Sequence, residues 1–242
     1  MLHSITGPLL SVLFPQPCQA CGGDVERHEF GPACGECWDQ TRLLKSPLIF
    51  CVKCGCVFPA QLSPQHTDCS RCRESFFDGA RSVGFYEAAL SAVVISMKTK
   101  PFMPALARQL LVDAFASSPF TDADVIIPVP LSNRRRFERG FNQAEVIAAI
   151  VGKAGGIPVD NASLLRTLHT PIHRALMDNK ARDMSVRKAF QIGRPRLITQ
   201  KKVLLVDDVF TSGSTANHCA RLLKKSGAAA VNVLTLARAQ NR

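Results

Sequence analysis

Two adjacent carboxylates stand beside a run of small and hydroxylated residues in the stretch VLLVDDVFTSGST, residues 203–215. The apolar residues 203–206 are typical of a buried parallel strand, and ligands bind outside the carboxyl ends of such strands in open α/β sheets. A helix is predicted to begin near Ser214, and a helix start offers free N–H groups and a partial positive charge to a phosphate. The stretch therefore places Asp207 and Asp208 next to a phosphate cradle.

This combination of acids and cradle selects the kind of ligand. Two carboxylates would repel a bare polyphosphate, but they suit a sugar phosphate whose vicinal hydroxyls contact the acids, with Mg²⁺ nearby. No G-x-x-x-x-G-K-[ST] sequence is present, which excludes a P-loop. The alternative is a strand end whose acids only cap the next helix. The candidate ribose-phosphate residues are Asp207, Asp208, Thr211, Ser212, Gly213, Ser214 and Thr215.

One condition must hold if both carboxylates are to contact the same ligand. Neighbouring side chains of a regular strand point to opposite faces of the sheet. Asp207 and Asp208 can therefore serve one ligand only if the backbone turns there, and the following residues, TSGST, permit such a turn.

The apolar strand DVIIPVP runs into an arginine-rich block, PVPLSNRRRFERGFNQAE. This strand is predicted to end at the same edge of the sheet as the acid pair. Guanidinium groups bind pyrophosphate or nucleic-acid phosphates through paired donors. A glycine would allow close backbone approach to the ligand, and Asn142 and Gln143 offer amides for hydrogen bonds. The alternative is a solvated basic loop. The candidate phosphate-binding residues of this block are Arg134, Arg135, Arg136, Arg139, Gly140 and Asn142.

Four C-x-x-C pairs lie in the first third of the chain. This spacing places two sulfurs on one tetrahedral ion, and two pairs complete a closed Cys₄ zinc site without an open position. We expect two structural zinc ions, with the pairs combined in sequence; an interleaved pairing, disulfides or an iron–sulfur cluster are the alternatives. Cys56 is predicted to be a spare thiol, and His28 and His66 to be loop residues rather than ligands. The expected ligands are Cys18, Cys21, Cys34, Cys37, Cys51, Cys54, Cys69 and Cys72.

Charge is distributed unevenly along the 242 residues, which carry a formal net charge of +11. Residues 1–80 hold six Lys and Arg against eight Asp and Glu, whereas residues 81–242 hold 24 against 11. The basic part favours an anionic partner such as nucleic acid, polyphosphate or a phosphorylated small molecule, with a merely soluble basic surface as the alternative.

The apolar content and the N-terminal residues indicate the compartment of the protein. No window approaches the length of a membrane span, and residues 1–17 lack the features of a signal peptide. We therefore expect a cytoplasmic protein with reduced cysteines. Its amphipathic N-terminal helix could make a weak contact with the inner face of the membrane.

The elements that position these residues alternate between strand and helix after a Cys-rich region. This alternation predicts an α/β fold with a parallel sheet over residues 78–242, preceded by a helical segment at 1–17 and a double zinc ribbon at 18–77. The Cys-rich region is too small to bury enough apolar area on its own, so the metal is expected to stabilise it. The predicted order is an edge strand in DGARSVGFYEAA, a helical stretch interrupted near Pro101, the strand DVIIPVP, the helix FNQAEVIAAIVGKAGG, the strand KVLLV, a helix from Ser214 to Lys225, and the strand AVNVLTLA.

The stretch VLLVDDVFTSGST resembles the ribose-phosphate-binding signature of type I phosphoribosyltransferases: a hydrophobic strand, two acids, two apolar residues and T-x-G-x-T. The resemblance implies that Asp207 and Asp208 hold the ribose hydroxyls of phosphoribosyl pyrophosphate. It also implies that residues 211–215 wrap the 5′-phosphate.

Residues 128–145 and the basic segment 164–190 are similar to the corresponding segments of the ComF/GntX family within that fold, and the Cys pairs and Lys98 fit the same family. The resemblance implies a role in DNA uptake or utilisation. The expected ligands and partners are phosphoribosyl pyrophosphate, single-stranded DNA, other DNA-uptake proteins, two zinc ions and Mg²⁺. Where the family commonly has Gln, Asn and Gly, this chain has His173, Ser185 and Lys188, departures that concern ligand contacts of a mobile loop.

Three functions fit these features. The first is a DNA-uptake protein that binds a ribose phosphate and single-stranded DNA, although the single Trp and single Tyr argue against extensive base stacking. The alternative is a phosphoribosyltransferase acting on an unidentified base, for which no base pocket is recognisable. A sensor of phosphoribosyl pyrophosphate would use the same site without chemistry.

Overall fold

A computed structural model describes residues 16–45, 50–58, 69, 72–167 and 189–240. The N-terminal helix predicted before residue 16 lies outside the described residues, and so does His66. The same holds for most of the predicted mobile loop, including His173, Ser185 and Lys188.

The core of the fold is a sheet of four parallel strands in the order β1-β6-β5-β2. This order confirms the predicted parallel α/β fold and places β1 at an edge, as its alternating sequence indicates. A separate antiparallel hairpin is formed by β3 and β4. The strands are β1 Gly79–Phe85, β2 Val125–Pro128, β3 Leu164–Arg166, β4 Phe190–Ile192, β5 Lys202–Phe210 and β6 Ala230–Arg238.

Helices connect the strands, and proline or glycine marks some of their boundaries. The helical stretch after β1 is divided around Pro101, as predicted, because proline interrupts a helix interior. Gly156 ends the fifth helix in the left-handed conformation, with φ 65°. The helices are α1 Gly35–Asp39, α2 Ala88–Ser96, α3 Ala105–Ala116, α4 Asn133–Arg139, α5 Gln143–Gly155 and α6 Ser214–Lys225.

The central strand β5 separates two hydrophobic cores. Leu204 and Val206 belong to one core, which contains α2, α3, α5 and the first Cys group. Val203 and Leu205 belong to the other, which contains α6 and the second Cys group. This alternation follows from the period of two along a strand, and covering both faces is typical of parallel sheets. Within the described ranges, no helix is long and apolar enough to cross a membrane.

Candidate functional site

A cavity of about 450 Å³ lies at the carboxyl end of the sheet. It collects residues that follow or end all four parallel strands, together with residues of α2, α4, α5 and α6. This position is the expected one, because the carboxyl ends of parallel strands meet at one edge. The polar and charged side chains that line it are Tyr86, Lys98, Arg135, Arg139, Asn142, Gln143, Arg166, Asp207, Asp208, Thr211 and Thr215.

The two adjacent carboxylates both line this cavity, but the backbone does not turn at them. Strand β5 continues through Phe210, so the turn that the sequence permits does not occur at Asp207 and Asp208. Both side chains still line one cavity because it extends across the end of the strand rather than over one face of the sheet.

The carboxylate of Asp207 is held in an unfavourable environment for its charge. Burial raises its pKa well above the ordinary value, the neighbouring Asp208 raises it further, and the Arg166 guanidinium opposes both effects. The backbone N–H of Asp208 donates to Asp207 Oδ1 at 2.9 Å. A ligand hydroxyl or a cation at this position would satisfy the charged form.

The loop after β5 contributes part of the cavity lining. Thr211 and Thr215 line the cavity, whereas Ser212 and Ser214 are exposed and lie outside its lining. Gly213 precedes the first residue of α6 with φ 76°, and a Cβ at this position would lie 2.6 Å from the Phe210 ring. Only glycine combines this left-handed conformation with such close packing.

The arginines of the block lie on the helix α4 and not on the loop considered as the alternative. Their positions on the helix direct them to different faces. Arg135 and Arg139 are four residues apart on one helix face, are half-buried and line the cavity. Arg134 points elsewhere and pairs with Glu138 at 2.7 Å, and Arg136 pairs with the Glu145 carboxylate. Arg135 and Arg139 therefore line the cavity of the acid pair, whereas Arg134 and Arg136 are surface residues, and Arg136 also lines a second cavity.

Gly140 and Asn142 have structural roles in addition to their place near the cavity. Gly140 ends α4 in the left-handed conformation, with φ 75°. Asn142 is 2% exposed; its Nδ2 donates to the Val129 carbonyl at 3.0 Å, and its Oδ1 accepts the Ala144 N–H at 3.1 Å. These bonds fix the start of α5 against the end of β2.

Some residues of the cavity are not among the candidates derived from the acid pair and the arginine block. Tyr86 follows β1, Lys98 follows α2, and Arg166 ends β3 with its guanidinium 5.1 Å from the centroid of the Phe190 ring. Tyr86 could have been found by searching the end of every predicted strand, as was done for β2 and β5. For Arg166, no local sequence signal distinguishes it from the other basic residues around it.

Eight cysteines form two groups of four, in the sequential pairing predicted from the sequence. Within each group all four Sγ atoms lie within 4.8 Å of one another. In the first group Cys18 and Cys37 are separated by 3.7 Å, and in the second Cys51 and Cys72 by 3.5 Å. Tetrahedral zinc with bonds of about 2.3 Å separates its sulfurs by about 3.8 Å, so both groups are suitable for zinc.

The other predicted cysteine and histidine roles can be placed as well. Cys56 belongs to neither group, and its Sγ faces the Val57 carbonyl at 3.7 Å. His28 lies in a short 3₁₀ turn outside the first group. Cys219 is fully buried in α6, and burial raises the pKa of its thiol, as expected for an unreactive apolar residue.

The second Cys group is joined to the loop after β5 through one buried arginine. Arg238, at the end of β6, is 4% exposed, and its Nη1 donates to the Cys54 carbonyl at 2.8 Å. The same guanidinium lies 5.1 Å from the centroid of the Phe210 ring, against which Gly213 packs. Phe77 contacts that ring edge-on at 5.9 Å between centroids. The second Cys group is therefore connected, through Arg238, to the ring against which Gly213 packs.

Comparison with known proteins identifies relatives along most of the chain. Residues 93–242 match the model of the phosphoribosyl transferase domain. The chain is 31% identical to Competence protein F of Haemophilus influenzae over 92% of this chain and 96% of that protein. It is 31% identical to the DNA utilization protein YhgH of Escherichia coli K12 over 93% and 97%, respectively. Glutamine phosphoribosylpyrophosphate amidotransferase from B. subtilis, a solved structure, is 22% identical over 58% of this chain and 30% of that chain, with a TM-score of 0.40.

Proposed function

We propose that this protein acts in DNA uptake or utilisation and binds phosphoribosyl pyrophosphate or a similar ribose phosphate. The chain belongs to the family of Competence protein F and the DNA utilization protein YhgH, and it carries a phosphoribosyl transferase domain. Single-stranded DNA is the second proposed ligand, and zinc is the proposed ion of both Cys groups.

One observation carries the ribose-phosphate proposal: a single cavity contains the acid pair, the threonines of the cradle and two arginines. Its volume of about 450 Å³ lies in the range of small-molecule sites, about 300–1,000 Å³. The acids would contact vicinal hydroxyls, Thr211 and Thr215 a 5′-phosphate, and Arg135 and Arg139 a pyrophosphate. Mg²⁺ bridging carboxylate and phosphate oxygens would complete the charge balance.

The contribution of the arginines is the first test of this proposal. Replacing Arg135 and Arg139 by alanine is expected to weaken binding of phosphoribosyl pyrophosphate by about 100-fold, because two charge-assisted contacts of roughly 1.5–3 kcal/mol each are lost. Binding of ribose 5-phosphate, which lacks the pyrophosphate, should change by less than about fivefold. Titration calorimetry with Mg²⁺ present measures both ligands.

A matched control comes from the same helix. The variant Arg134→Ala/Arg136→Ala removes the same number of charges from α4, outside the cavity of the acid pair. It is expected to bind phosphoribosyl pyrophosphate like the wild type. Equal losses in the two double variants would mean that net charge, and not a pyrophosphate site, determines affinity.

Surface features of α4 support the proposed contact with single-stranded DNA. Phe137 is 92% exposed and lies between Arg136 and Glu138, next to the surface arginines. An exposed aromatic ring beside guanidinium groups suits a base stacked on the ring and phosphates held by the arginines. The excess of basic residues after residue 80 also favours contact with the anionic DNA backbone.

Removal of this ring is the second test. We expect Phe137→Ala to weaken binding of single-stranded DNA by roughly tenfold, because base stacking contributes about 1–3 kcal/mol. Phe102→Ala is the control, since Phe102 is also exposed, at 55%, but lies before α3. Fluorescence anisotropy over a series of salt concentrations measures the effect. An affinity that does not fall with salt, or an equal loss in both variants, would count against this surface.

A further inference from the structure

The two Cys groups differ in how far their cysteines are exposed to solvent. In the first group Cys21 is exposed, and so are the two residues between Cys18 and Cys21. In the second group three of the cysteines are buried and Cys69 is half-buried. Because oxidation of cysteine follows thiolate character and exposure, a small oxidant in solution reaches the first group more easily than the second.

Carboxylates flank the first Cys group. One of its C-x-x-C pairs contains Glu36, at the position where a pair of the second group contains Lys53. The Glu26 carboxylate also accepts the N–H of Gly35, the residue that follows the ligand Cys34, at 2.9 Å. Two negative charges therefore lie beside the thiolates of the first group.

Cations flank the second Cys group instead. Arg238 Nη1 donates to the Cys54 carbonyl at 2.8 Å, and Arg81 Nη1 donates to the Val52 carbonyl at 3.1 Å. Lys53 lies between these two carbonyls in the sequence and adds a third positive charge. The second group is therefore held by the basic side chains of β1 and β6.

The arginines in the sequence around the first group are engaged by other side chains. Arg27 pairs with Glu29 at 3.2 Å, and Arg42 pairs with Glu87 at 2.6 Å. Hydrogen bonds to sulfur are matched between the groups: a backbone N–H donates to Cys18 Sγ at 3.3 Å in the first and to Cys51 Sγ at 3.5 Å in the second. Exposure and side-chain charge are therefore what distinguish the two groups.

This difference in charge affects the reactivity of the sulfurs. A zinc ion bound by four thiolates carries a net negative charge, and the metal keeps its coordinating thiols deprotonated. Their reactivity therefore depends on nucleophilicity, which falls when the basicity of a sulfur falls. Nearby cations lower the basicity of the thiolates in the second group, whereas nearby carboxylates raise it in the first.

We propose that Cys21 is an oxidation site and that a peroxide releases the ion of the first Cys group while the second group keeps its ion. The inference rests on the proposed zinc ion in each group. The Sγ atoms of Cys21 and Cys34 are 3.6 Å apart, which makes Cys34 the partner of the oxidised Cys21.

The chemistry proceeds in two steps. The Cys21 thiolate attacks one oxygen of hydrogen peroxide, the O–O bond breaks, and hydroxide leaves with the electron pair, which gives a sulfenic acid. The Cys34 thiolate then attacks the Cys21 sulfur, an S–S bond forms, and the S–O bond breaks to release a second hydroxide. The two thiolates together lose two electrons and the peroxide gains them. Two of the four ligands are lost, so the first group no longer holds its ion.

Hydrogen peroxide added to the full-length, zinc-loaded protein tests this inference. We expect one zinc ion per chain to be released at least about tenfold faster than the other, because exposure and charge both favour the first group. A colorimetric zinc chelator follows the release. Mass spectrometry of peptides, after alkylation of the remaining thiols, should identify a Cys21–Cys34 disulfide in the fast phase.

Substitutions at the two matched positions test the role of charge. Glu36→Lys should slow the fast phase by about fivefold, and Lys53→Gln should speed the slow phase by about threefold. Glu36 is exposed, and glutamine at position 53 keeps a donor for the Ser75 carbonyl, which Lys53 contacts at 2.7 Å. Asp113→Lys makes the same charge change on α3, outside both groups, and should alter neither phase.

The outcomes separate this inference from the zinc assignment. Equal release rates, oxidation of the second group before the first, or equal slowing by Glu36→Lys and Asp113→Lys would overturn the inference and leave two zinc sites in place. A purified protein with fewer than two zinc ions per chain would contradict the zinc assignment and this inference with it. The proposed ribose-phosphate site is tested separately by calorimetry.

Discussion

The double variant Asp207→Asn/Asp208→Asn is expected to lower the affinity for phosphoribosyl pyrophosphate by about 100-fold or more, the largest effect predicted for a ligand contact. Two charge-assisted bonds to ribose hydroxyls, each worth roughly 1.5–3 kcal/mol, would be replaced by weaker neutral ones. The proposed Mg²⁺ would also lose its carboxylate ligands. Calorimetry with and without Mg²⁺ measures both effects.

The pH dependence of folding stability provides an internal control for this variant. The folded-state pKa of Asp207 is raised by burial and by Asp208, so the wild type loses stability as pH rises from the unfolded pKa through the folded one. Asparagine carries no charge at any pH. The variant should therefore be at least as stable as the wild type at pH 7, with a melting-temperature advantage that grows as pH rises from the unfolded-state pKa of Asp207 towards its raised folded-state pKa.

A surface carboxylate supplies the comparison for this experiment. Asp113 is exposed on α3 and lies outside the cavity lining, so Asp113→Asn should keep both the affinity and the pH dependence of the wild type. A double variant that binds as tightly as the wild type would remove the acid pair from the ligand site.

The second large effect is expected at the second Cys group. Cys54→Ser should reduce the metal content from two zinc ions per chain to one, and it should strongly destabilise the protein because metal binding contributes directly to folding. Phosphoribosyl pyrophosphate binding should also weaken, by roughly tenfold. The reason is that Arg238, which donates to the Cys54 carbonyl, holds the Phe210 ring against which Gly213 packs.

Two other cysteines make this result interpretable. Cys56→Ser changes a thiol outside both groups and should keep two zinc ions and full affinity. Cys21→Ser should lose the other ion with a smaller effect on the ligand, because the first group leads to α2 through Thr41, whose Oγ1 accepts the Ala89 N–H at 3.1 Å. Elemental analysis and calorimetry on the same samples measure metal and affinity. An unchanged zinc content in Cys54→Ser would refute the assignment of the second metal group.

Local patterns in the sequence were sufficient for the elements and for the two Cys groups. Cysteines separated by two residues can place both sulfurs on one ion, and the sequential pairing requires only that neighbouring segments fold together. The acids and the cradle threonines also lie within one strand, one loop and one helix start, so their proximity is a matter of short-range geometry. For this reason the parallel fold and the neighbourhood of Asp207, Asp208, Thr211 and Thr215 could be predicted.

Tertiary structure alone decided which of these residues share a cavity and which only support it. The phase of α4 separates Arg135 and Arg139 from Arg134 and Arg136, although all four are alike in the sequence. The cavity also takes residues from α2 and α5 and from the ends of β1 and β6, which are distant along the chain. Such assemblies depend on long-range packing of side chains, and a periodic pattern in one segment carries no information about it.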